Sequence, residues 1–111
     1  MKTQEKWKKI EGWGDRYFVS SLGRVKSVYA GKERLLTLTP DGCGYPGVVL
    51  YFKRQYRHRP VHRLVAEAFC NRRRKQTEVD HKNGIRSDNR ASNLEWVSHR
   101  ENMRRIYRPK Q

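Results

Sequence analysis

The run Glu78-Val79-Asp80-His81-Lys82-Asn83-Gly84, followed by Asp88-Asn89-Arg90 and Asn93-Leu94-Glu95-Trp96-Val97, decides the architecture of the second half of this chain. Glu78 to His81 reads as a strand. The residues after it, dominated by Asn, Asp, Gly, Ser and Arg, read as an ordered loop that begins with the Asn83-Gly84 turn. Asn93 to Val97 is a second strand. Ser98-His99-Arg100-Glu101 has the Ser-x-x-Glu spacing of a capping box, which predicts a helix from His99 to about Tyr107, with Pro109 beyond it. The order is strand, loop, strand, helix. Asp80 and His81 stand at the end of the first strand, and Asn102 lies in the first turn of the helix.

Immediately upstream, Pro60 opens a helical period. Val61, Leu64, Val65, Ala68 and Phe69 recur at the spacing of an amphipathic stripe, with proline tolerated in the first turn. His62, Arg63 and Glu67 fall on the other side. This helix should stop near Cys70-Asn71, and Arg72-Arg73-Arg74-Lys75 should form a basic loop into the strand at Glu78. Earlier still, residues 7–10, 16–20, 24–29, 34–39, 45–52 and 56–59 are rich in β-branched and aromatic residues. Turn formers such as Leu22-Gly23, Ala30-Gly31 and Pro40-Asp41-Gly42 separate them. Connections this short favour antiparallel neighbours. The fold class is therefore α+β, an antiparallel β-rich amino-terminal part followed by a strand-strand-helix core.

Composition bounds the partners. Twenty-six Lys and Arg against 11 Asp and Glu give a formal charge of +15 on 111 residues, which steers the chain towards polyanions, nucleic acid foremost. Because the positives are spread along the chain, a broad binding face is expected rather than a detachable tail. Hydrophobic residues make up only 35%, so the core must be small, and three Trp, six Tyr and three Phe partly compensate. Cys43 and Cys70 are isolated and far apart, which argues against a structural zinc and against a disulfide, and leaves both as packing residues. No apolar run approaches a membrane span, and Met1 to Lys6 has no signal-like core, so the cytosol of the host cell is the expected compartment.

The chemistry of the run follows from its residue types. A carboxylate and an amide carbonyl are hard oxygen donors that suit Mg²⁺ or Mn²⁺, one ion per site, and a neighbouring imidazole is largely free base at neutral pH. Metal plus base is what hydrolysis of a phosphodiester requires. Plainer readings exist for each residue. Asp80 and His81 could be ordinary strand-end residues, Asn83 reads as a turn residue and Asn89 as loop structure. His62 could touch phosphate or make a structural hydrogen bond, His58 could be a surface or backbone contact, and Trp13 and Trp96 read as core.

Taken together, Val61-His62-Arg63-Leu64-Val65-Ala66-Glu67-Ala68-Phe69, the Asp80-His81 pair, Asn93-Leu94-Glu95-Trp96-Val97 and Glu101-Asn102 resemble the HNH endonucleases of the phage and homing group, whose core is the ββα-metal (His-Me finger) motif. Trp7-Lys8-Lys9-Ile10, Tyr17-Phe18-Val19-Ser20 and Leu22-Gly23-Arg24-Val25-Lys26-Ser27 resemble the NUMOD-type module that often precedes that core. The resemblance implies two units: a β-rich DNA-contacting module over residues 1–60 and a nuclease unit over 61–111. It implies His81 as general base, Asp80 and Asn102 as metal ligands, and Asn93 as the middle asparagine that tethers the loop and helps orient the base, a place for which Asn83 and Asn89 are also candidates. His99, three residues before Asn102, is the alternative helix ligand.

The function expected is metal-dependent, strand-nicking cleavage of double-stranded DNA, with Arg24, Lys26, Arg63, Arg72, Arg73, Arg74, Lys75, Arg86 and Arg90 as candidate DNA contacts. The rivals are a catalytically inactive nucleic-acid-binding module, which should have lost Asp80, His81 or Asn102, and an RNA-directed nuclease of the same chemistry. The protein is expected to be a monomer or weak dimer. Relatives in the homing group commonly carry a further DNA-binding segment after the core, whereas this sequence reaches only Gln111. A modest recognition sequence, or help from a phage or mobile-element partner protein, is the corresponding expectation.

Overall fold

A computed structural model describes residues 4–107; Pro109, expected beyond the last helix, lies outside the described residues. The chain begins with an antiparallel meander, β1 (Trp7–Lys9), β2 (Tyr17–Ser20), β3 (Val25–Tyr29) and β4 (Lys32–Leu35), paired in that order. Its β3–β4 hairpin closes on Ala30 and Gly31, both with positive φ, the two-residue turn that matches strand twist. A second antiparallel sheet holds β5 (Thr39–Pro40), β6 (Pro46–Phe52) and β7 (Gln55–Pro60), with Lys53 and Arg54 both left-handed at the β6–β7 tip. Helix α1 (Val61–Phe69) follows directly. The hairpin of β8 (Gln76–His81) and β9 (Leu94–Ser98) and then α2 (His99–Tyr107) complete the order, and a short 3-10 turn, Ala91–Asn93, leads into β9.

One core joins these parts. Ile10, Tyr17, Val19 and Val25 from the meander, Val48 and Leu50 from β6, Val61, Leu64 and Val65 from α1, and Leu94 from β9 are all buried together. The core thus runs across residue 60, where the two expected units meet. Burying each such aliphatic side chain contributes about 1.5–3 kcal/mol, so neither side of that boundary keeps its apolar face covered without the other. The α1 stripe is as expected, and Val48-Val49-Leu50 resolves into strand alternation, with Val48 and Leu50 buried and Val49 exposed. Trp96 is core: its indole N–H donates to the Ala66 carbonyl at 3.1 Å. Among the described residues no helix is long and apolar enough to cross a membrane.

Several boundaries differ from the sequence reading. β4 starts at Lys32 rather than Arg34 because the Ala30-Gly31 turn closes the hairpin at once, and its four residues are all exposed, so no hydrophobic pattern marks it. The run to Thr39 breaks where Leu36 turns in against the core, after which Thr39 and Pro40 join the other sheet. β8 begins two residues early, at Gln76, through a bulge between Gln76 and Glu78. Asn93 ends the 3-10 turn rather than opening the strand. Cys70 is half-buried as a packing residue, but Cys43 is exposed: Asp41 accepts from the Cys43 and Tyr45 amides at 2.8 and 3.0 Å, and that turn holds the thiol outward.

Candidate active site

The register of the β8–β9 hairpin sets the geometry. Asp80 lies opposite Glu95 and His81 opposite Leu94. Because successive strand residues point to opposite faces, Glu78 and Asp80 share one face and Val79 and His81 the other. The first face meets α2. The second is turned towards α1 and the core, where Val79 packs and His81 is buried.

On the core side, Nε2 of His81 lies 2.7 Å from Oδ1 of Asn89. An amide oxygen only accepts, so Nε2 carries the proton of the neutral ring and Nδ1 holds the free lone pair. Asn89 is itself buried, and its main chain packs beneath Gly23: a Cβ there would stand 3.1 Å from both the Cβ and the carbonyl oxygen of Asn89. Gly23 also has φ +90, so glycine is required twice over, by conformation and by space. The neighbouring Ala91 amide donates to the Ser21 carbonyl at 2.8 Å, which ties the loop to the β2–β3 turn.

Asn93 stands where the two ends of the loop meet. Its Oδ1 accepts from the Asn83 amide at 3.1 Å, and its Nδ2 donates to Asn83 Oδ1 and the Asp88 carbonyl at 3.0 and 2.8 Å. These bonds stitch the two ends of the loop, while the ring of His81 is held by Asn89. Asp88 is pinned in turn by the Arg90 guanidinium and by the Asn83 amide, and the ion pair with Arg90 holds its carboxyl down to about 2.

The imidazole has two further neighbours. Ring centroids of His62 and Tyr45 lie 5.2 and 5.9 Å from that of His81, and 4.9 Å from each other. Burial first, then repulsion from His81 and Arg63, pushes His62 down to about 4, so it is neutral beside His81. Its Nδ1 is buried without a hydrogen-bond partner. Tyr45 precedes β6, and the Arg86 guanidinium lies 4.9 Å over its ring while donating to the Cys43 carbonyl.

On the α2 side, three carboxylates from the hairpin meet three polar residues spaced three apart on the helix. Asn102 Nδ2 donates to Glu78 Oε1 at 2.7 Å, and His99 Nδ1 lies 2.7 Å from Glu78 Oε2. The bonds from Asn102 and His99 hold Glu78 below the usual carboxylate range. Arg105 bridges Asp80, at 2.7 Å, and Glu95. An open cleft of about 220 Å³ is lined by Asp80, Lys82, Glu95 and Arg105. Asp80 and the Asn102 carbonyl are oxygen donors of the kind a hard divalent cation takes, while among the described residues no group of three or more His, Cys, Asp or Glu side chains converges as a metal cluster.

Of the candidate DNA contacts, Arg72, Arg73, Arg74 and Lys75 stand exposed in the α1–β8 connection, with Arg72 also 5.0 Å over the Trp96 ring. The others have partners within the protein. Arg24 pairs with Glu5 and Lys26 with Glu33, both flanking the Trp7 ring, Arg63 donates to the Thr77 carbonyl at 3.0 Å, and Arg86 and Arg90 are engaged as described. Exposed Lys53 and Arg54, at the β6–β7 tip, add a basic pair the sequence reading passed over. Glu78, Glu95 and Arg105 were passed over too, and Asn89 was read as loop structure. Only Arg105 carried a local signal, its three-residue spacing from Asn102 on one helix face.

Residues 59–104 match the family model described as HNH endonuclease, and residues 5–51 match that of the NUMOD4 motif. DNA endonuclease I-HmuI of Bacillus phage SP01 is 36% identical over 97 residues, which cover 87% of this chain and 55% of that protein. An uncharacterized HNH endonuclease, L247, of Acanthamoeba polyphaga mimivirus is 38% identical over 107 residues, 92% of this chain and 26% of that protein. The chain therefore spans about half the length, or less, of these curated relatives. Among solved structures, one describing DNA binding and cleavage by the HNH homing endonuclease I-HmuI superposes with a TM-score of 0.80 at 35% identity, covering 89% of this chain and 56% of that one.

Proposed function

The chain belongs to the HNH endonuclease family, and we propose that it is a divalent-metal-dependent endonuclease that hydrolyses phosphodiester bonds in DNA, with His81 as general base and Asp80 and Asn102 as the protein ligands of one Mg²⁺ or Mn²⁺. The observation that carries this reading is the split of two adjacent residues to opposite faces of β8: Asp80 faces the oxygen-rich side under α2, and His81 spends its one ring proton on Asn89. Nδ1 is then the basic nitrogen. It accepts a proton from the attacking water as the water oxygen bonds to phosphorus, and the 3′ oxygen leaves. Asn89, held under the Gly23 turn, keeps the ring in the tautomer that makes this transfer available.

Asp80 and Asn102 would hold the cation, with His99 as the alternative helix ligand. When bound, the ion supplies a Lewis acid for charge on the phosphoryl oxygens and the departing oxygen. Arg105, already on Asp80 and Glu95, keeps those carboxylates from repelling one another. The exposed run Arg72 to Lys75 would contact phosphates, a role that positions the duplex without reading its bases. The test is incubation with supercoiled plasmid, with and without Mg²⁺ or Mn²⁺, beside His81→Ala. Cleavage is expected only with the cation and the native histidine; undiminished cleavage in chelator would refute the mechanism.

A further inference from the structure

Asn102 binds Glu78 through one end of its amide, and only one end can do so. A carboxylate at neutral pH accepts hydrogen bonds and donates none, so the group 2.7 Å from Glu78 Oε1 must be the Asn102 NH₂. The amide is planar. Once its nitrogen is spent on Glu78, its carbonyl oxygen, the only atom of that side chain able to bind a hard cation, is turned away from the carboxylate and left free. Without that bond the side chain can rotate about its terminal torsion and present either end.

Glu78 is itself held. Its second oxygen takes the bond from His99 Nδ1, one turn earlier on the same face of α2, so the carboxylate is gripped from two points on the helix. It is only partly exposed, at 33%, and it shares the α2-facing side of β8 with Asp80. The strand that provides the carboxylate ligand thus also provides the group that sets the amide ligand.

We propose that Glu78 is a positioning residue for the metal site, fixing the Asn102 amide so that its oxygen faces the cation, with His99 locking Glu78 in place. The inference rests on Asp80 and Asn102 being the protein ligands. It makes His99 a support of the site through Glu78 rather than a ligand. Outer partners of metal ligands elsewhere act in this way, and losing one costs about 10–100-fold in metal affinity or activity.

The experiment is titration of the metal-free protein with Mn²⁺, followed by calorimetry and by the paramagnetic signal of the free ion, in native protein and in Asp80→Asn, Glu78→Ala, Glu78→Gln and His99→Ala. Glutamine keeps an acceptor for the Asn102 NH₂ but removes the charge. Asp80→Asn should abolish site binding, Glu78→Ala should weaken it at least tenfold, and Glu78→Gln should stay within about threefold of native. His99→Ala should fall between the two Glu78 variants. If Glu78→Gln is as weak as Glu78→Ala, charge rather than orientation is at work and the proposal fails. It also fails if Glu78→Ala binds like the native protein while Asp80→Asn does not. If Asp80→Asn binds Mn²⁺ as native does, the ligand assignment falls instead. Circular dichroism of each variant before titration separates loss of the site from loss of the fold, and Glu78→Gln, which preserves shape, keeps the test decisive.

Discussion

Nε2 of His81 is 2.7 Å from Oδ1 of Asn89, and the backbone of Asn89 is wedged under Gly23. A turn in the amino-terminal meander therefore supports the partner of the proposed base, 66 residues away in sequence. Removing the base should cost cleavage at least about a hundredfold, the low end for loss of general-base catalysis. Asn89→Leu, which leaves the ring unoriented, should cost about tenfold in kcat with KM for DNA within twofold. Combining the two should cost little more than His81→Ala alone, because both act on one proton transfer. Additive losses in single-turnover assays would count against the coupling.

Gly23→Ala tests the same support from below. The new methyl would need positive φ and would press on Asn89, so about 1–3 kcal/mol of stability should be lost, read as a lower urea midpoint. Cleavage at a temperature where the variant remains folded should also slow. A variant that unfolds like native protein would mean that the loop yields freely.

Arg105 neutralises two carboxylates that face each other across the hairpin, Asp80 and Glu95. In Arg105→Gln these should repel, lowering the thermal midpoint of the metal-free protein by an amount equivalent to about 1 kcal/mol. A divalent cation would relieve the same repulsion, so Mg²⁺ should raise the midpoint more in Arg105→Gln than in native protein. Equal metal-induced shifts in thermal melts would argue against a shared electrostatic site.

Much of this arrangement was legible because its signals are local. The capping box at Ser98-His99-Arg100-Glu101 is realised, with the Glu101 amide donating to Ser98 Oγ and Glu101 Oε1 accepting from the Ser98 amide, both at 3.1 Å. The α1 stripe and the Asp80-His81 strand end likewise depend on spacing alone. The contacts of Asn89 and Tyr45 with His81 were not legible, because each reaches it only through tertiary packing: Tyr45 lies 36 positions earlier, just before β6, and Asn89 looks like any polar loop residue until the loop folds. β4 escaped for a different reason, since an entirely exposed edge strand has no buried face to write a pattern into its residues.

The neutrality of His62 fixes a pH dependence. Above its ordinary value of 6.5, folded and unfolded chains both carry it uncharged, and it contributes nothing to the pH slope. As pH falls from 6.5 towards about 4, the unfolded chain takes up a proton that the folded protein refuses, so stability declines through that window. His62→Phe removes this term. Going from pH 7 to pH 5, its thermal midpoint should fall less than that of native protein, by about 3–6 °C once solvent screening is allowed for. Identical pH profiles in differential scanning fluorimetry would show that the ring is not held neutral by burial.

Binding to DNA should be steeply salt-dependent. If about five phosphates are neutralised, log affinity should fall against log salt with a slope of about −4 to −5. Replacing Arg72, Arg73 and Arg74 together should flatten that slope by about two to three and weaken all sequences alike, since those side chains stand exposed and free to meet the backbone. Arg24→Ala and Lys26→Ala should change the slope less, because each already has an acidic partner. A triple variant with native slope would move the contact face elsewhere, with Lys53 and Arg54 the next candidates.

The number of strands cut follows from the number of sites. In the proposed assignment, the Asp80-His81 pair and one helix ligand make one centre in these 111 residues, whereas the two strands of a duplex run antiparallel and present their phosphates in opposite orientations. A single chain bound in one pose reaches one strand. Plasmid should therefore pass from supercoiled to open circle first, and linear product should appear only after a second binding event or through a two-fold dimer, whose symmetry would bring a second centre to the opposite strand. The distinction is kinetic: a monomer gives nicked product at a rate first order in protein, with linear product lagging, whereas a stable dimer gives linear product without a lag. Time courses across protein concentration, paired with sedimentation of the free protein, decide it. Direct appearance of linear DNA from a sedimenting dimer would overturn the single-strand expectation while leaving His81 and Asp80 in their proposed roles.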